Sequence, residues 1–138
     1  MVKHEVYTKE TESIKKMRKD ILGNKKLPSL IKEQTVKYFL VLSLDEIDLG
    51  YIEMSKIDPE TYEVTSIAVK EQYRHQKVGT YLIKYGQVKL KTVGGRKMRG
   101  LIPPELIPFF RKNEFRFIDD EAILIDGMPY ALMQKSFY

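Results

Sequence analysis

Arg74, His75, Lys77 and Gly79 fall within six residues of YRHQKVGTYLIKYG (residues 73–86), between an apolar, β-branched run and an amphipathic one. The chemistry this crowding can do is anion binding. A helix N-terminus leaves backbone N–H groups unpaired and carries partial positive charge, so a phosphate can rest there with no side chain involved. Gly79 has no Cβ to fend off the anion, and Arg74, His75 and Lys77 add charge around the same turn. Two carboxylates are the other chemical resource. Glu63, on the run before the turn, can accept a proton, and Glu53, one run earlier, is a second candidate. Strict alternation puts Glu63 on one strand face with Thr65, Ile67 and Val69. Bland alternatives stand beside both readings: a connection with solvated charges for the turn, and a strand-end carboxylate paired with a lysine for Glu63.

Other chemistries lack their residues. The absence of cysteine removes disulfides, thiolate metal sites and any cysteine nucleophile. His4 and His75 have no H-x-x-x-H spacing, so no metal site is expected, and there is no G-x-S-x-G elbow. The formal net charge of +5 favours anionic partners in general. The pairs Lys15-Lys16 and Lys25-Lys26 read as solvated surface, and with no RNP-like aromatic motif or helix-turn-helix signature the sequence argues against nucleic acid. A composition of 43% hydrophobic and 31% charged residues is ordinary for a soluble domain. No apolar run approaches the ~20 residues of a membrane span. The opening MVKHEVYTKE lacks the apolar core of a signal peptide, and a cytoplasmic address is the resulting expectation.

The elements that must position these residues form one domain over residues 1–138, with no repeat or linker to divide them. A short strand is expected near residues 5–8. Ile14, Met17, Ile21 and Leu22 recur at helical spacing and stop at Gly23-Asn24. Ser29 is positioned to cap a second short helix running through Leu30-Ile31. Three β-rich runs, KYFLVLSLDE, DLGYIEMSKI and TYEVTSIAVK, are separated by the turns DEIDLG and DPET and read as an antiparallel meander. The third should be central and covered on both faces, with Ile67 and Val69 on one side and Val64, Ser66 and Ala68 on the other. A long helix from Thr80 to about Val93 ends at Gly94-Gly95, and the strand KMRGLIP follows as a parallel crossover. A short helix near residues 108–112 and a hairpin of AILID and PYALMQ finish the chain. The class is α+β, with a mixed, mostly antiparallel sheet flanked by helices.

The run TSIAVKEQYRHQKVGTYLI resembles the cofactor-binding motif of the GNAT superfamily of acetyl-CoA-dependent N-acetyltransferases, which reads strand, R/Q-x-x-G-x-G/A, helix. Arg74, His75, Gln76, Lys77, Val78 and Gly79 fill its positions. FFRKNEFRF is similar to the later signature F-Y-x-K-x-G-F, in register at Phe109, Lys112 and Phe115. The order of elements matches over nearly the whole chain. The resemblance implies that the pantetheine arm of acetyl-CoA pairs with the backbone of Ile67, Ala68 and Val69. It also implies that the pyrophosphate rests on amides from Gln76 to Thr80, with Arg74 close by. The Val69 amide would hold the oxyanion of the tetrahedral intermediate, and Glu63 matches the glutamate that deprotonates the amine in some members.

Four positions depart from the pattern. Lys77 stands at the first glycine, leaving open whether the turn's backbone accepts any residue or the loop is altered. Phe110 stands where many members carry the tyrosine that protonates the departing thiolate, and Tyr81, Tyr130 and Tyr138 are conceivable substitutes. Pro103 stands at a frequent asparagine. Glu114 replaces the glycine of the G-F ending, so Asn113 is expected to take the left-handed helix stop. Pro108 predicts a short helix beneath Phe110. The function implied is transfer of an acetyl group from acetyl-CoA to a primary amine on a small molecule or a peptide. A non-catalytic acyl-CoA-binding module is the alternative that Phe110 and Pro103 keep open. Family members often dimerise through late strands, and a homodimer is compatible with the resemblance.

Overall fold

The computed structural model describes residues 1–31 and 36–137. The first strand, β1 (Val2–Tyr7), pairs antiparallel with β2 (Lys37–Leu44), and β2 pairs with β3 (Ile47–Lys56) across a tight turn in which Asp45 and Glu46 both take positive φ. A second turn leads from β3 into β4 (Thr61–Val69). There the Asp58 carboxylate accepts the N–H groups of Glu60 and Thr61 at 2.9 and 2.8 Å. The expected meander is therefore present, and the DEIDLG and DPET runs are its turns.

Between β1 and β2 lies α1 (Glu12–Leu22). Thr11 caps it, accepting the Ile14 N–H at 3.2 Å, and Gly23 ends it in the left-handed conformation at φ 60°. Ile14 and Met17 are buried against Phe39, Val41, Tyr51 and Ala68 of the sheet, which stabilises by about 2 kcal/mol for each side chain. The second helix expected from Ser29 does not form at Leu30 or Ile31, and the rest of its span lies outside the described residues. Instead the Ser29 hydroxyl and Ile31 bond locally, and the backbone N–H groups of Leu27 and Leu30 donate to Thr65 O and to the Glu63 carboxylate of β4.

After β4, a 3-10 turn at Glu71–Tyr73 leads into α2 (Val78–Thr92), whose Leu82, Ile83 and Leu90 enter the main core on the other face. Then β5 (Lys97–Ile102) pairs parallel with β4, as expected of a crossover. The chain continues through α3 (Ile107–Lys112), a two-residue strand β6 (Arg116–Phe117) that the sequence did not announce, and the hairpin of β7 (Ile123–Ile125) and β8 (Met128–Ser136). In the sheet the strand order is β1-β2-β3-β4-β5-β8-β6, with β7 on β8. The sheet is mixed and mostly antiparallel, and β4 lies in its middle.

Candidate functional site

The site is set by how β4 is paired. Its pairing with β5 covers only Thr61–Lys97, Tyr62–Met98 and Glu63–Arg99, whereas β5 stays paired with β8 from Lys97 to Ile102. Beyond Glu63 the two strands part. Lys70 N–H donates to Leu49 O at 2.9 Å, so the backbone groups of Lys70 face β3. Groups on successive residues alternate in direction, and Val69 and Ile67 therefore turn their N–H and C=O away from β3, towards the side β5 has left. Arg74 Nε uses this exposure, donating to Val69 O at 3.2 Å.

A bulge changes which side chains share a face. Glu53 pairs with Ser66 and Met54 with Val64, so Thr65 has no partner in β3. The pairing of Ile52 with Ile67 and of Met54 with Val64 puts Tyr62, Val64, Ile67 and Val69 on the α2 face, in the main core. Glu63, Ser66 and Ala68 lie on the α1 face with Glu53 and Tyr51. The expected grouping of Glu63 with Ile67 and Val69, and of Val64 with Ser66 and Ala68, is thus corrected: one inserted residue reverses the alternation. Two successive small polar residues, Thr65-Ser66, where alternation would put one on each face, are the sequence signal of it.

On the α1 face the bulge lies in a buried polar seam. Glu53 and Glu63 are both 0% exposed. Glu53 accepts Lys26 Nζ at 2.8 Å and the Thr65 hydroxyl, and Glu63 accepts Leu30 N–H at 3.4 Å. Ser55 Oγ lies 3.0 Å from Thr65 Oγ1, and Leu27 N–H donates to Thr65 O at 3.0 Å. Nearby, Tyr51 bonds Ser66 Oγ at 2.6 Å, and burial pushes its phenol above the usual range. A groove of about 670 Å³ opens on this face between α1 and the chain after β4, lined among others by Lys16, Asp20, Lys70, Glu71 and Arg74. It reaches the end of β4 through Lys70 and Arg74.

At the head of α2, Arg74, His75, Gln76 and Lys77 are exposed. The first helical bond runs from Tyr81 N–H to Lys77 O at 3.0 Å, and no side chain caps the helix. The N–H groups of Val78, Gly79 and Thr80 thus have no acceptor within the helix, the arrangement an anion requires. Lys77 takes φ 63° and His75 φ 69°. The turn is therefore not open to any residue: Lys77 holds a left-handed conformation that glycine adopts at less cost. Gly79 has a steric reason the sequence did not disclose. A Cβ there would lie 2.9 Å from the Phe109 ring of α3.

Phe109 meets Phe110 edge-on at 5.2 Å, and Phe110 meets Phe115 at 4.9 Å, which ties α3 to the head of α2. Phe110 is 0% exposed and has no proton to give. The left-handed stop falls on Glu114, at φ 71°, while Asn113 stays at φ −95°, which corrects the expectation for Asn113. Tyr81 is exposed on the outer side of α2, stacked 6.2 Å from Tyr85, and Tyr130 is on the late hairpin. Tyr138 lies outside the described residues. Among the described residues no cluster of carboxylates and histidines could hold a metal, and no helix is long and apolar enough to cross a membrane.

Residues 35–117 match the acetyltransferase (GNAT) domain family. Among solved structures, the chain superposes on a Bacillus subtilis acetyltransferase in complex with CoA, with TM-score 0.72, 15% identity and 100% of both chains covered. A GNAT family acetyltransferase from Elizabethkingia anophelis with acetyl-CoA bound gives TM-score 0.67 and 17% identity, over 99% of this chain and 98% of that one. The PaiA N-acetyltransferase of Thermoplasma acidophilum, in complex with coenzyme A, gives TM-score 0.61 and 25% identity, over 72% of this chain and 60% of that one. No curated protein matches the chain in sequence.

Proposed function

The chain belongs to the GNAT acetyltransferase family, and we propose that it transfers an acetyl group from acetyl-CoA to a primary amine. The observation that carries this reading is the pairing of two backbone sites at one end of β4. Ile67 and Val69 face the gap left by β5, and the unpaired N–H groups of Val78, Gly79 and Thr80 lie just beyond the connecting turn. Amides in this relation suit a pantetheine arm followed by a pyrophosphate. Arg74, His75, Gln76 and Lys77 surround the phosphate position. Arg74, bonded to Val69 O, holds the turn against the strand.

The acceptor approaches from the opposite face, where Glu63 and the groove beside α1 lie. A lysine-like ammonium has a reference pKa near ~10.4, and only its neutral form is nucleophilic. Glu63, six strand positions and about 20 Å before Val69, takes the proton through a relay of water, and the amine nitrogen attacks the thioester carbonyl carbon. The Val69 N–H stabilises the resulting oxyanion. The C–S bond then breaks, and the coenzyme A thiolate leaves with a proton from solvent, because Phe110 supplies none. The mixed charge of the groove, with Lys16, Lys70 and Arg74 beside Asp20 and Glu71, suits an acceptor of low net charge better than a polycation. A consumer of acetyl-CoA fits a cytoplasmic address.

A titration of the isotope-labelled protein with acetyl-CoA tests the donor: amide resonances of Ile67 to Val69 and Val78 to Thr80 should move together. Release of free thiol is then followed with a panel of amines. Glu63→Gln should lower kcat/KM about 100-fold near neutral pH and flatten its rise with pH. Full activity of that variant across pH would remove Glu63 from the mechanism. The buried, hydroxyl-free Phe110 favours a second reading, a non-catalytic acyl-CoA-binding module; binding without thiol release on any amine would select it.

A further inference from the structure

Both oxygens of the buried Glu53 are engaged, one by the Lys26 ammonium and the other by the Thr65 hydroxyl. Thr65 is the inserted residue of the β4 bulge. Its single hydroxyl proton goes to Glu53, so Ser55 Oγ must be the donor in their 3.0 Å bond. Its carbonyl accepts the N–H of Leu27, the residue after Lys26. Three bonds thus converge on one residue that β3 leaves unpaired. We propose that Glu53, anchored by Lys26, is a positioning residue: it fixes the extra residue of β4 at Thr65 and thereby aims the main-chain groups of Ile67 and Val69 into the gap.

An inserted residue has no ladder partner, so hydrogen bonding in the ladder alone does not say where along β4 it should sit. Moving it towards Val69 would reverse the faces of Ile67 and Val69 and turn their backbone groups towards β3. Moving it towards Thr61 would carry the Thr65 hydroxyl to the α2 face, away from the Glu53 carboxylate, and moving it towards Val69 would carry Ser66 away from its bond to Tyr51. A buried carboxylate that lost this hydroxyl, or the Lys26 ammonium, would be left partly unsatisfied, so a displaced bulge carries a penalty.

The functional consequence rests on the acyl-transfer reading, but the structural one does not, and the experiment separates them. Glu53→Gln, Thr65→Val, Thr65→Ser and Lys26→Met are compared in the full chain by amide resonances of the free protein, coenzyme A affinity, and kcat against KM. Glu53→Gln and Thr65→Val should displace the Ile67 and Val69 resonances and weaken coenzyme A binding about tenfold, with kcat falling in parallel. Thr65→Ser should stay within about twofold of the parent, because the hydroxyl remains, and Lys26→Met should lie between. Combining Glu53→Gln with Thr65→Val should cost less than the product of the two separate effects. Unmoved resonances with only a lower Tm would overturn the proposal, leaving Glu53 a purely stabilising group. So would unchanged affinity with a lost pH-dependent limb of kcat, the mark of a base. If the parent protein binds no coenzyme A, the acyl-transfer reading fails, and the resonances still decide the positioning role. Thr65→Val is isosteric and uncharged, and carries the test should Glu53→Gln fail to fold.

Discussion

The two halves of β4 differ in composition and in surroundings. From Thr61 to Glu63 the strand is paired on both sides, with β3 and with β5, while from Ser66 to Val69 it has a strand on one side only. The first half behaves as core, and the second presents backbone to the gap. The boundary between them is the bulge at Thr65. A central strand is ordinarily the least accessible part of a sheet, so a reactive edge in the middle of one requires a break in the pairing. Here that break coincides with an extra residue and a buried charge.

The contrast can be broken or sharpened at three places. Excising Thr65 has the largest expected effect: Val64 and Ser66 become neighbours and β4 alternates without a break, every remaining side chain keeping its face, while the Glu53 carboxylate, Ser55 Oγ and Leu27 N–H lose their partner. We expect a loss of roughly 4 kcal/mol in denaturant unfolding from these three groups. A variant that melts like the parent would show that the bonds gathered at the bulge do not stabilise the boundary between the two halves. Next is Gly50→Ala. A Cβ on Gly50 would lie 2.5 Å from the backbone oxygen of Ala68, wedging the second half from the one strand it still has. The expected cost is about 3 kcal/mol in denaturant unfolding; a cost near zero would mean that this half shifts freely. The smallest effect belongs to Lys77→Gly in the turn that the second half feeds. Relief of the left-handed backbone should add about 0.5 kcal/mol of stability. Loss of the ammonium should weaken acetyl-CoA binding a few-fold, more at low salt than at high. A gain in affinity instead would identify Lys77 as a hindrance.

Much of this was legible in the sequence where the cause is local. Gly23 stops α1, Asp58 and the Asp45-Glu46 pair make the turns, and Pro108 keeps α3 to six residues. The turn between Arg74 and Gly79 was legible as an anion cradle because a strand, a short glycine-bearing turn and a helix are read from neighbouring residues. What failed was non-local. Period-two counting assumes an uninterrupted strand, and the face of Glu63 was misjudged because Thr65 is bonded to Glu53 and Leu27, 12 and 38 positions away. Gly79 was credited with admitting an anion, yet its nearest constraint is the Phe109 ring, 30 residues later. Glu114 rather than Asn113 takes the left-handed stop, because Asn113 bonds its side-chain amide to Phe109 O at 2.9 Å and stays helical in φ. Glu53 looked like a spare base, and only its neighbours identify it as an anchor.

The seam between β4 and β5 consists of three register pairs, with the N–H groups of Arg96 and Lys97 both directed to Glu60 O at its start. On one side stand four strands that are joined in sequence order by turns and a helix; on the other, strands that must find each other across α3 and the late hairpin. Loop-closure entropy favours the β2–β3–β4 meander assembling before the rest, since its strands are joined by tight turns whereas β5 pairs with β4 and with β8 across intervening helices. The chain therefore has a natural order of folding in time, with the half that carries Glu53, Glu63 and the bulge formed early and β5 and β8 zipped on afterwards. Because the zip stops after three pairs, the end of assembly is also the opening of the site: the gap is simply where folding ceases to add hydrogen bonds.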